Sequence, residues 1–235
     1  MEDKIIFVLG SGKCGTTSLT HLLNCSSEID ARHEEPPKLW EYNRVVYDGN
    51  GIFGYERLYW NSRESLINGI RKKGKVFAEV NHRSSVFLPY WKEMFPKAKY
   101  VVLWRDFDET VVSMARWGCY SNKDAGKRYR LQPNKELEYR QACAWYWVTI
   151  YDYILNHLPE GAIVLPLQWM ENREVKKIQN IFDKLDVELP DVSAIEDSLS
   201  IKKNIKKTDR KIEKNWGIFD KKAEEITGEL RRLSV

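Results

Sequence analysis

The sequence predicts an α/β fold in three layers, with a central parallel sheet flanked by helices. Three observations lead to this prediction. An apolar segment at residues 4–9 leads into a glycine-rich turn and then a helix. Further short apolar segments at 76–80, 100–104 and 162–167 alternate with amphipathic helices. Alternating strands and helices favour parallel pairing, because parallel strands are joined by crossover connections. The order of strand, glycine-rich turn and helix makes this a P-loop-type fold.

The helices are predicted from apolar residues that recur at helical spacing. They cover residues 16–24, 85–95, a segment that begins near Asp108, 136–157, 173–186 and 220–233. Pro96 ends the second of them, and Asp106 or Asp108 is the candidate N-cap of the third. Residues 25–75 are predicted to be irregular with short helical pieces. The polar segments 117–135 and 200–215 show no strong period.

The length and the composition suit one domain of ordinary size. The 235 residues are expected to form a single domain, 1–235, with its core at about 4–190 and a basic segment and a final helix at 200–235. A net charge of +4 suits an anionic ligand and does not by itself indicate nucleic acid. We expect no signal peptide before the first strand, and no segment is long enough to span a membrane.

The four cysteines form neither a C-x-x-C pair nor a zinc spacing. We therefore expect reduced thiols, no bound metal and a cytoplasmic location. Cys14 is interpreted as a small residue that the glycine-rich turn tolerates. A reactive thiol is the alternative, because a helix N-terminus lowers the pKa of a thiol.

The run from Gly10 to Leu19 predicts a phosphate site. Backbone N–H groups in such a turn point inward, and the helix N-terminus adds partial positive charge. Gly10 and Gly15 have the Walker A spacing, but Thr16 stands where the lysine should be, and the lysine comes earlier, at Lys13. That pattern points away from ordinary ATP and GTP hydrolysis, toward a different phosphate-bearing donor. The candidate donor-binding residues are Ser11, Gly12, Lys13, Cys14, Gly15, Thr16, Thr17 and Ser18.

A second candidate anion site follows the strand at 100–104. The strand ends at Arg105, and Ser113 lies eight residues later on the next helix. An arginine at a strand end and a serine two turns into the following helix can converge on one anion. The alternative is an arginine in a surface ion pair and an ordinary helical serine.

Together these two segments resemble the sulfotransferases that use 3′-phosphoadenosine-5′-phosphosulfate (PAPS). Lys13 to Leu19 resembles the family's loop for the 5′-phosphosulfate, and Tyr100 to Ser113 resembles its 3′-phosphate site. Residues 163–190 resemble the family's late strand and helix. Trp169 stands there in place of a tyrosine that lies beside the adenine in cytosolic members. The resemblance spans about residues 4–190 and includes features of both the cytosolic and the heparan-type branches.

The resemblance implies an enzyme that moves a sulfuryl group from PAPS to an acceptor hydroxyl or amine without a metal and releases adenosine 3′,5′-bisphosphate (PAP). Lys13 would neutralise the charge that grows on the leaving phosphate. Backbone N–H groups of the loop, with Thr16 and Thr17, would hold the 5′-phosphate. Arg105 and Ser113 would hold the 3′-phosphate.

The family branches disagree about the general base, and so two candidates stay open. His82 follows the second predicted strand, where cytosolic members place a catalytic histidine. Glu35 precedes Pro36, where the heparan-type branch places a catalytic glutamate. A basic lid is also implied before Trp216, at Lys206, Lys207 and Arg210, with a solvated charge run as the alternative.

Two other functions remain as alternatives. One is a P-loop kinase that uses Mg-ATP on a small molecule, and the other is a nucleotide-binding regulatory protein without catalytic activity. The acceptor is expected to be a small molecule, a lipid or a glycan, with walls from residues 36–72 and 116–135. No nucleic-acid partner is expected, and the oligomeric state stays open.

Overall fold

Five parallel strands form the centre of the structure, a computed structural model. It describes residues 5–36, 55–119, 137–200 and 216–234, except the side chains of 55–60 and 62. The strands are β1 (Ile5–Leu9), β2 (Ile29–His33), β3 (Val76–Val80), β4 (Lys99–Trp104) and β5 (Ile163–Pro166). They pair in the order β2-β3-β1-β4-β5, and every pair is parallel.

Helices cover the sheet on both faces. They are α1 (Thr16–Leu23), α2 (Tyr55–Lys72), α3 (Leu88–Met94), α4 (Phe107–Arg116), α5 (Tyr139–His157), α6 (Leu167–Glu171), α7 (Val175–Leu185), α8 (Val192–Ser200) and α9 (Phe219–Leu233). A 3₁₀ helix, His82–Phe87, runs directly into α3.

Two apolar cores, one on each face of the sheet, give the three layers. Alternate residues of β1 supply them, because successive side chains of a strand point to opposite faces. Ile5 and Phe7 pack with residues of α2, α3, α4, α5 and α9, while Ile6 and Val8 pack with residues of α1, α6, α7 and α8. Phe7 stacks on the buried Trp91, with ring centroids 5.1 Å apart. The predicted fold class is confirmed.

Most predicted elements are present with ends shifted by a few residues. Asp106 is the N-cap of α4, since its carboxylate accepts a hydrogen bond from the backbone of Glu109 at 3.3 Å. The predicted helix 85–95 is a 3₁₀ turn that continues into α3. Helices α6 and α8 were not among the predicted elements.

The prediction for residues 25–75 is wrong, because this stretch contains β2 and the 18-residue α2. Only Ile29 and Ala31 of β2 are buried, so the strand carries a weak apolar signal. Helix α2 is rich in charged residues, and it packs on the core through a narrow stripe that includes Ile67 and Ile70. Tertiary packing therefore decides both elements.

The parallel arrangement brings all five carboxyl ends of the strands to one edge of the sheet. His33 pairs with Val80, Val80 with Val8, and Leu9 with Val102, so β2, β3, β1 and β4 end at similar heights. Ligands of open parallel sheets bind beyond this edge. Within the described residues, no helix is both long and apolar enough to cross a membrane.

Candidate active site

The phosphate loop, residues 10–15, connects β1 to α1 and depends on two glycines. Gly10 has φ 153°, and a Cβ there would lie 2.4 Å from the carbonyl oxygen of Leu103. Gly15 has φ 101°, and a Cβ there would lie 2.5 Å from a methyl carbon of Leu167. Because both contacts are too short for a side chain, the loop packs against β4 and α6 only with glycine at these positions.

Buried side chains from two other elements hold the start of the loop. The Ser85 hydroxyl accepts from the Gly10 amide at 2.8 Å and lies 2.9 Å from the Gly10 carbonyl oxygen and 2.8 Å from that of His82. The Ser11 amide donates to the Tyr151 hydroxyl at 3.3 Å. Ser85 therefore ties the phosphate loop to the segment that carries His82.

Cys14 is fully buried beneath the loop. Burial raises the pKa of its thiol to about 12, although a hydrogen bond with Tyr151 opposes the shift. The thiol stays protonated at neutral pH, so the alternative of a reactive cysteine is wrong. As a small apolar residue, Cys14 packs with Val8 and Leu19 in the core on that face.

Lys13 lies over an aromatic ring at the end of α4. Its ammonium nitrogen is 3.3 Å from the centroid of the Trp117 indole, a cation–π contact. Lys13 has φ 67°, a left-handed conformation that non-glycine residues rarely adopt. Trp117 is 54% exposed, and its amide donates to the carbonyls of Ser113 and Met114. The lysine and the indole thus lie together at the mouth of the site.

His33, at the carboxyl end of β2, contacts the first turn of α1. Its Nε2 lies 2.9 Å from the Thr16 hydroxyl and 3.5 Å from the Thr17 hydroxyl. Burial lowers the pKa of His33, although the charge of Glu34 opposes the shift. At neutral pH a neutral imidazole therefore lies beside the two threonines predicted to bind the donor.

Glu34 and His82 form a close pair between the ends of β2 and β3. Oε1 of Glu34 is 3.1 Å from Nδ1 of His82, and Oε2 is 3.1 Å from the Arg83 guanidinium. Burial and the charge of Arg83 lower the pKa of His82 to about 4, against the opposing effect of Glu34. Burial alone would raise the pKa of Glu34, but its contacts with His82 and Arg83 hold that pKa well below its usual range.

Glu35 is anchored through its backbone. Its carbonyl oxygen accepts from the Arg63 guanidinium, which also donates to the Pro36 carbonyl at 2.6 Å. Arg63 is buried on α2 and forms an ion pair with the buried Glu79 of β3 at 3.2 Å. Arg63, held by its buried ion pair with Glu79, thus positions the backbone at Glu35 and Pro36, directly after Glu34.

Arg105 follows β4 directly and faces two carboxylates. Its Nε is 3.0 Å from Glu109, and an Nη nitrogen is 3.7 Å from Glu171 at the end of α6. All three side chains are partly exposed, so these pairs are weak and a stronger anion can displace them. Ser113 lies two turns further on α4, half-buried. The order of strand end, arginine and helical serine is as the sequence indicates.

Trp169 lies on α6, beside the carboxyl end of β5. The ammonium of Lys177 lies 4.9 Å from the centroid of its ring.

The remaining predicted residues lie in the loop or outside the described part of the chain. Gly12 belongs to the phosphate loop, and Ser18 belongs to the start of α1. Lys206, Lys207, Arg210 and most of the predicted acceptor walls lie outside the described residues. Within the described residues, no three His, Cys, Asp or Glu side chains come together as a metal site would require.

Five residues of the site were not predicted from the sequence: His33, Glu34, Ser85, Tyr151 and Trp117. The run His33-Glu34-Glu35-Pro36 was visible, but only the strand pairing shows that the first acid faces His82. Tyr151 belongs to an apolar helix, where core packing is the ordinary interpretation. Trp117 is the first residue of the polar segment 117–135, which carries no periodic signal.

No protein-family model and no curated protein sequence matches this chain. Solved structures do match it. A sulfotransferase from Alicyclobacillus acidocaldarius is similar with a TM-score of 0.57 and 17% identity over 99% of this chain and 93% of that one. The sulfotransferase domain of the Synechococcus PCC 7002 olefin synthase has a TM-score of 0.58 and 12% identity over 98% and 96%.

The chain has the sulfotransferase fold. Mouse sulfotransferase SULT7A1 complexed with PAP is also similar, with a TM-score of 0.50 and 17% identity over 85% of this chain and 66% of that one. In this sulfotransferase fold the phosphate loop, Arg105 and the pair Glu34–His82 lie at or just beyond the same edge of the sheet.

Proposed function

We propose that the protein transfers a sulfuryl group from PAPS to a hydroxyl or amine of an acceptor. One structural relationship carries the proposal. The loop with Lys13 and the segment with His82 meet through Ser85 at the sheet edge where Arg105 also lies. A group that stabilises a leaving phosphate, a candidate base and a cation for a second phosphate are thus held by adjacent strand ends.

The residues of the site fit a nucleotide with two phosphate positions. The phosphate loop precedes the N-terminus of α1, where amide groups and the helix dipole favour an anion. Arg105 offers a planar set of donors to a second phosphate, and the Ser113 hydroxyl, two turns further on α4, is the second donor in this proposal. Trp169 presents a ring on which an adenine can stack.

Lys13 supports the departure of the donor phosphate in this proposal. When PAPS is bound, it supplies the sulfuryl group that the acceptor takes up. The Lys13 ammonium neutralises the negative charge that grows on the leaving phosphate. Thr16 and Thr17 donate hydroxyl hydrogen bonds to the phosphate, while His33 orients the two hydroxyls.

His82 accepts the acceptor's proton in this proposal, with Glu35 as the alternative base. The pKa of His82, lowered to about 4, leaves its ring neutral at pH 7, with one ring nitrogen that accepts. Glu35 is fixed by its backbone carbonyl beside Arg63. We further propose that residues 1–235 form one domain, and that Lys206, Lys207 and Arg210 close over the donor. The acceptor is a small molecule, a lipid or a glycan.

Ligand-dependent thermal stabilisation tests the proposal. Melting temperatures are measured with PAP and with Mg-ATP, each with and without EDTA. PAP should raise the melting temperature equally in both buffers, and transfer of labelled sulfate from PAPS to a panel of phenols, lipids and glycans should follow. Stabilisation by Mg-ATP alone, abolished by EDTA, would support the kinase alternative and reject this function.

A further inference from the structure

The end of the β2–β3 pair places Glu34 and His82 side by side. His33, the last residue of β2, pairs with Val80, the last residue of β3. The Glu34 amide then donates to the Val80 carbonyl at 3.2 Å, and Glu34 turns into a left-handed conformation with φ 47°. Non-glycine residues rarely adopt this conformation. The backbone turn therefore directs the Glu34 side chain toward the segment that begins at Asn81.

Both carboxylate oxygens of Glu34 have partners. Oε1 faces Nδ1 of His82 at 3.1 Å, and Oε2 faces the Arg83 guanidinium at 3.1 Å. The side chains of His82 and Arg83 are 6% and 11% exposed, so water competes little for these contacts. Asn81 caps the same turn through its side chain, which accepts from the Arg83 amide. The Glu34–His82 pair is therefore positioned by the ends of both β2 and β3.

The partner of Nδ1 determines which form of the imidazole is present. An ionised carboxylate only accepts hydrogen bonds, so a neutral ring beside it must carry its proton on Nδ1. The other ring nitrogen, Nε2, is then the one that can accept a proton. Once Nε2 is protonated, the carboxylate stabilises the imidazolium, as in triads in which an acid orients a histidine base.

We propose that Glu34 is the positioning residue of this site: it fixes His82 in the tautomer with the proton on Nδ1 and leaves Nε2 to act as the base. The catalytic part of this inference rests on the proposed function. Arg83 completes the arrangement, because its permanent charge keeps Glu34 ionised and occupies the second oxygen.

Glu34→Gln tests the tautomer without changing the shape of the side chain. A glutamine offers one accepting oxygen to two donors, His82 and Arg83. Arg83 is always charged and takes that oxygen, so the amide NH₂ faces Nδ1 and the ring must move its proton to Nε2. In the double variant Glu34→Gln/Arg83→Met, no arginine binds the amide oxygen of the glutamine. That oxygen can then accept from Nδ1, and the Nδ1-protonated form of His82 should return.

The readout is long-range ¹H–¹⁵N NMR of the four ¹⁵N-labelled histidines at pH 7. The resonances that disappear in His82→Gln identify His82. The wild-type protein and the matched control Glu35→Gln should show the Nδ1-protonated form, and Glu34→Gln the Nε2-protonated form. An Nδ1-protonated His82 in Glu34→Gln, or a switch in Glu35→Gln, would overturn the proposal. If Glu34→Gln does not fold, Arg83→Met decides instead, since it must keep the wild-type tautomer.

Two further measurements separate this inference from the proposed function. PAP should bind the wild type, Glu34→Gln and Glu35→Gln with dissociation constants within about 2-fold, because Glu34 acts on the base and not on the donor. Release of labelled sulfate from PAPS, with water as acceptor, should fall by roughly 10²- to 10⁴-fold in Glu34→Gln relative to the wild type. A wild type that shows the tautomer pattern but binds no PAP rejects the function and leaves the positioning of His82 intact.

Discussion

Lys13 holds its ammonium nitrogen 3.3 Å from the centroid of the Trp117 indole. Trp117 belongs to the end of α4, one helical turn after Ser113, so a single helix contributes both a candidate phosphate ligand and the ring that holds the lysine. A cation over an indole is attracted by about 0.5–1 kcal/mol at an exposed site. A bound phosphate can outcompete an interaction of this size.

Trp117 should therefore report on the position of Lys13. In protein labelled with 5-fluorotryptophan, the ¹⁹F resonance that disappears in Trp117→Phe should shift in Lys13→Met and should also shift when PAP is added to the wild type. Lys177→Met is the matched control, because it removes the ammonium near Trp169 instead. A Trp117 resonance that ignores Lys13→Met would show that the contact is absent in solution.

Lys13 and Arg105 should differ in which kinetic parameter they affect. Lys13→Ala should lower kcat by about 10²- to 10³-fold, since it removes stabilisation that acts on the developing charge. Arg105→Ala should mainly raise the KM for PAPS, since it removes binding to a phosphate that does not react. Steady-state kinetics with labelled PAPS measures both. Equal and mild losses would contradict the assigned roles.

Glu171 should weaken the binding of a 3′-phosphate. Its carboxylate lies 3.7 Å from the Arg105 guanidinium, and an exposed pair of this kind contributes about 0.2–1 kcal/mol. Glu171→Gln should therefore lower the dissociation constant of PAP by about 2- to 5-fold and leave that of adenosine 5′-monophosphate unchanged, as calorimetry would show. Glu174→Gln, which removes the partner of Lys177, is the control. Weaker binding of PAP would mean that Glu171 positions Arg105 instead.

Acid should destabilise the protein through His82. The unfolded histidine titrates at roughly 6.5, and burial with the charge of Arg83 lowers the folded pKa to about 4. The unfolded state thus binds the proton first, so this stabilisation is complete above pH 6.5 and is lost as the pH falls toward 4. The loss amounts to about 3 kcal/mol in the free energy of unfolding.

Urea denaturation at pH 7, 6, 5 and 4 measures this loss. Glu34, Arg83 and His33 also act on this ring, and Glu34 loses its own stabilising effect in acid because its pKa is lowered. His82→Gln should show a fall smaller by about 3 kcal/mol than the wild type. Parallel curves for wild type and His82→Gln would refute the assignment.

Removing one partner of the buried pair Arg63–Glu79 should lower the free energy of unfolding more than replacing both partners with apolar residues. Arg63→Met removes the guanidinium that faces the buried Glu79 carboxylate and should lower the free energy of unfolding by about 3–5 kcal/mol. Arg63→Met/Glu79→Leu should recover a large part of that loss, because no buried charge remains. Chemical denaturation measures both, and a single-variant loss below about 1 kcal/mol would contradict the prediction.

The sequence predicts the sheet well where the apolar signal is strong. Strands β1, β4 and β5 are buried on both faces, so they appear as nearly continuous apolar runs such as Ile5–Leu9, and the charged Glu79 interrupts the run of β3. Strand β2 is one of the two edge strands, and only its alternate residues Ile29 and Ala31 are buried, while Asp30 and Arg32 are partly exposed. Helix α2 escapes prediction for a similar reason, since among its described side chains only Arg63, Ile67 and Ile70 are buried.

The candidate donor-binding residues are close together in the sequence, whereas the contact beside the candidate base is not. Lys13, Thr16 and Thr17 lie within one short run, so their proximity follows from chain continuity. The contact between Glu34 and His82 joins residues 48 positions apart and depends on the register of β2 with β3. No local pattern fixes that register, and the sequence therefore could not distinguish Glu34 from its neighbour Glu35.

The segment from Asn24 to Glu34 contains several contacts that limit insertions and deletions there. The Asn24 side chain accepts from the Ala31 amide at 2.8 Å and donates to the Ala31 carbonyl at 3.0 Å, and the next residues place His33 on the first turn of α1 and Glu34 beside His82. One residue inserted or deleted within β2 would shift its register with β3 and separate both contacts at once. The exposed Ser27, whose hydroxyl donates to Glu188 at 3.1 Å, precedes the strand, and β2 itself cannot change length. Insertions that diversify the site must therefore enter elsewhere in the chain.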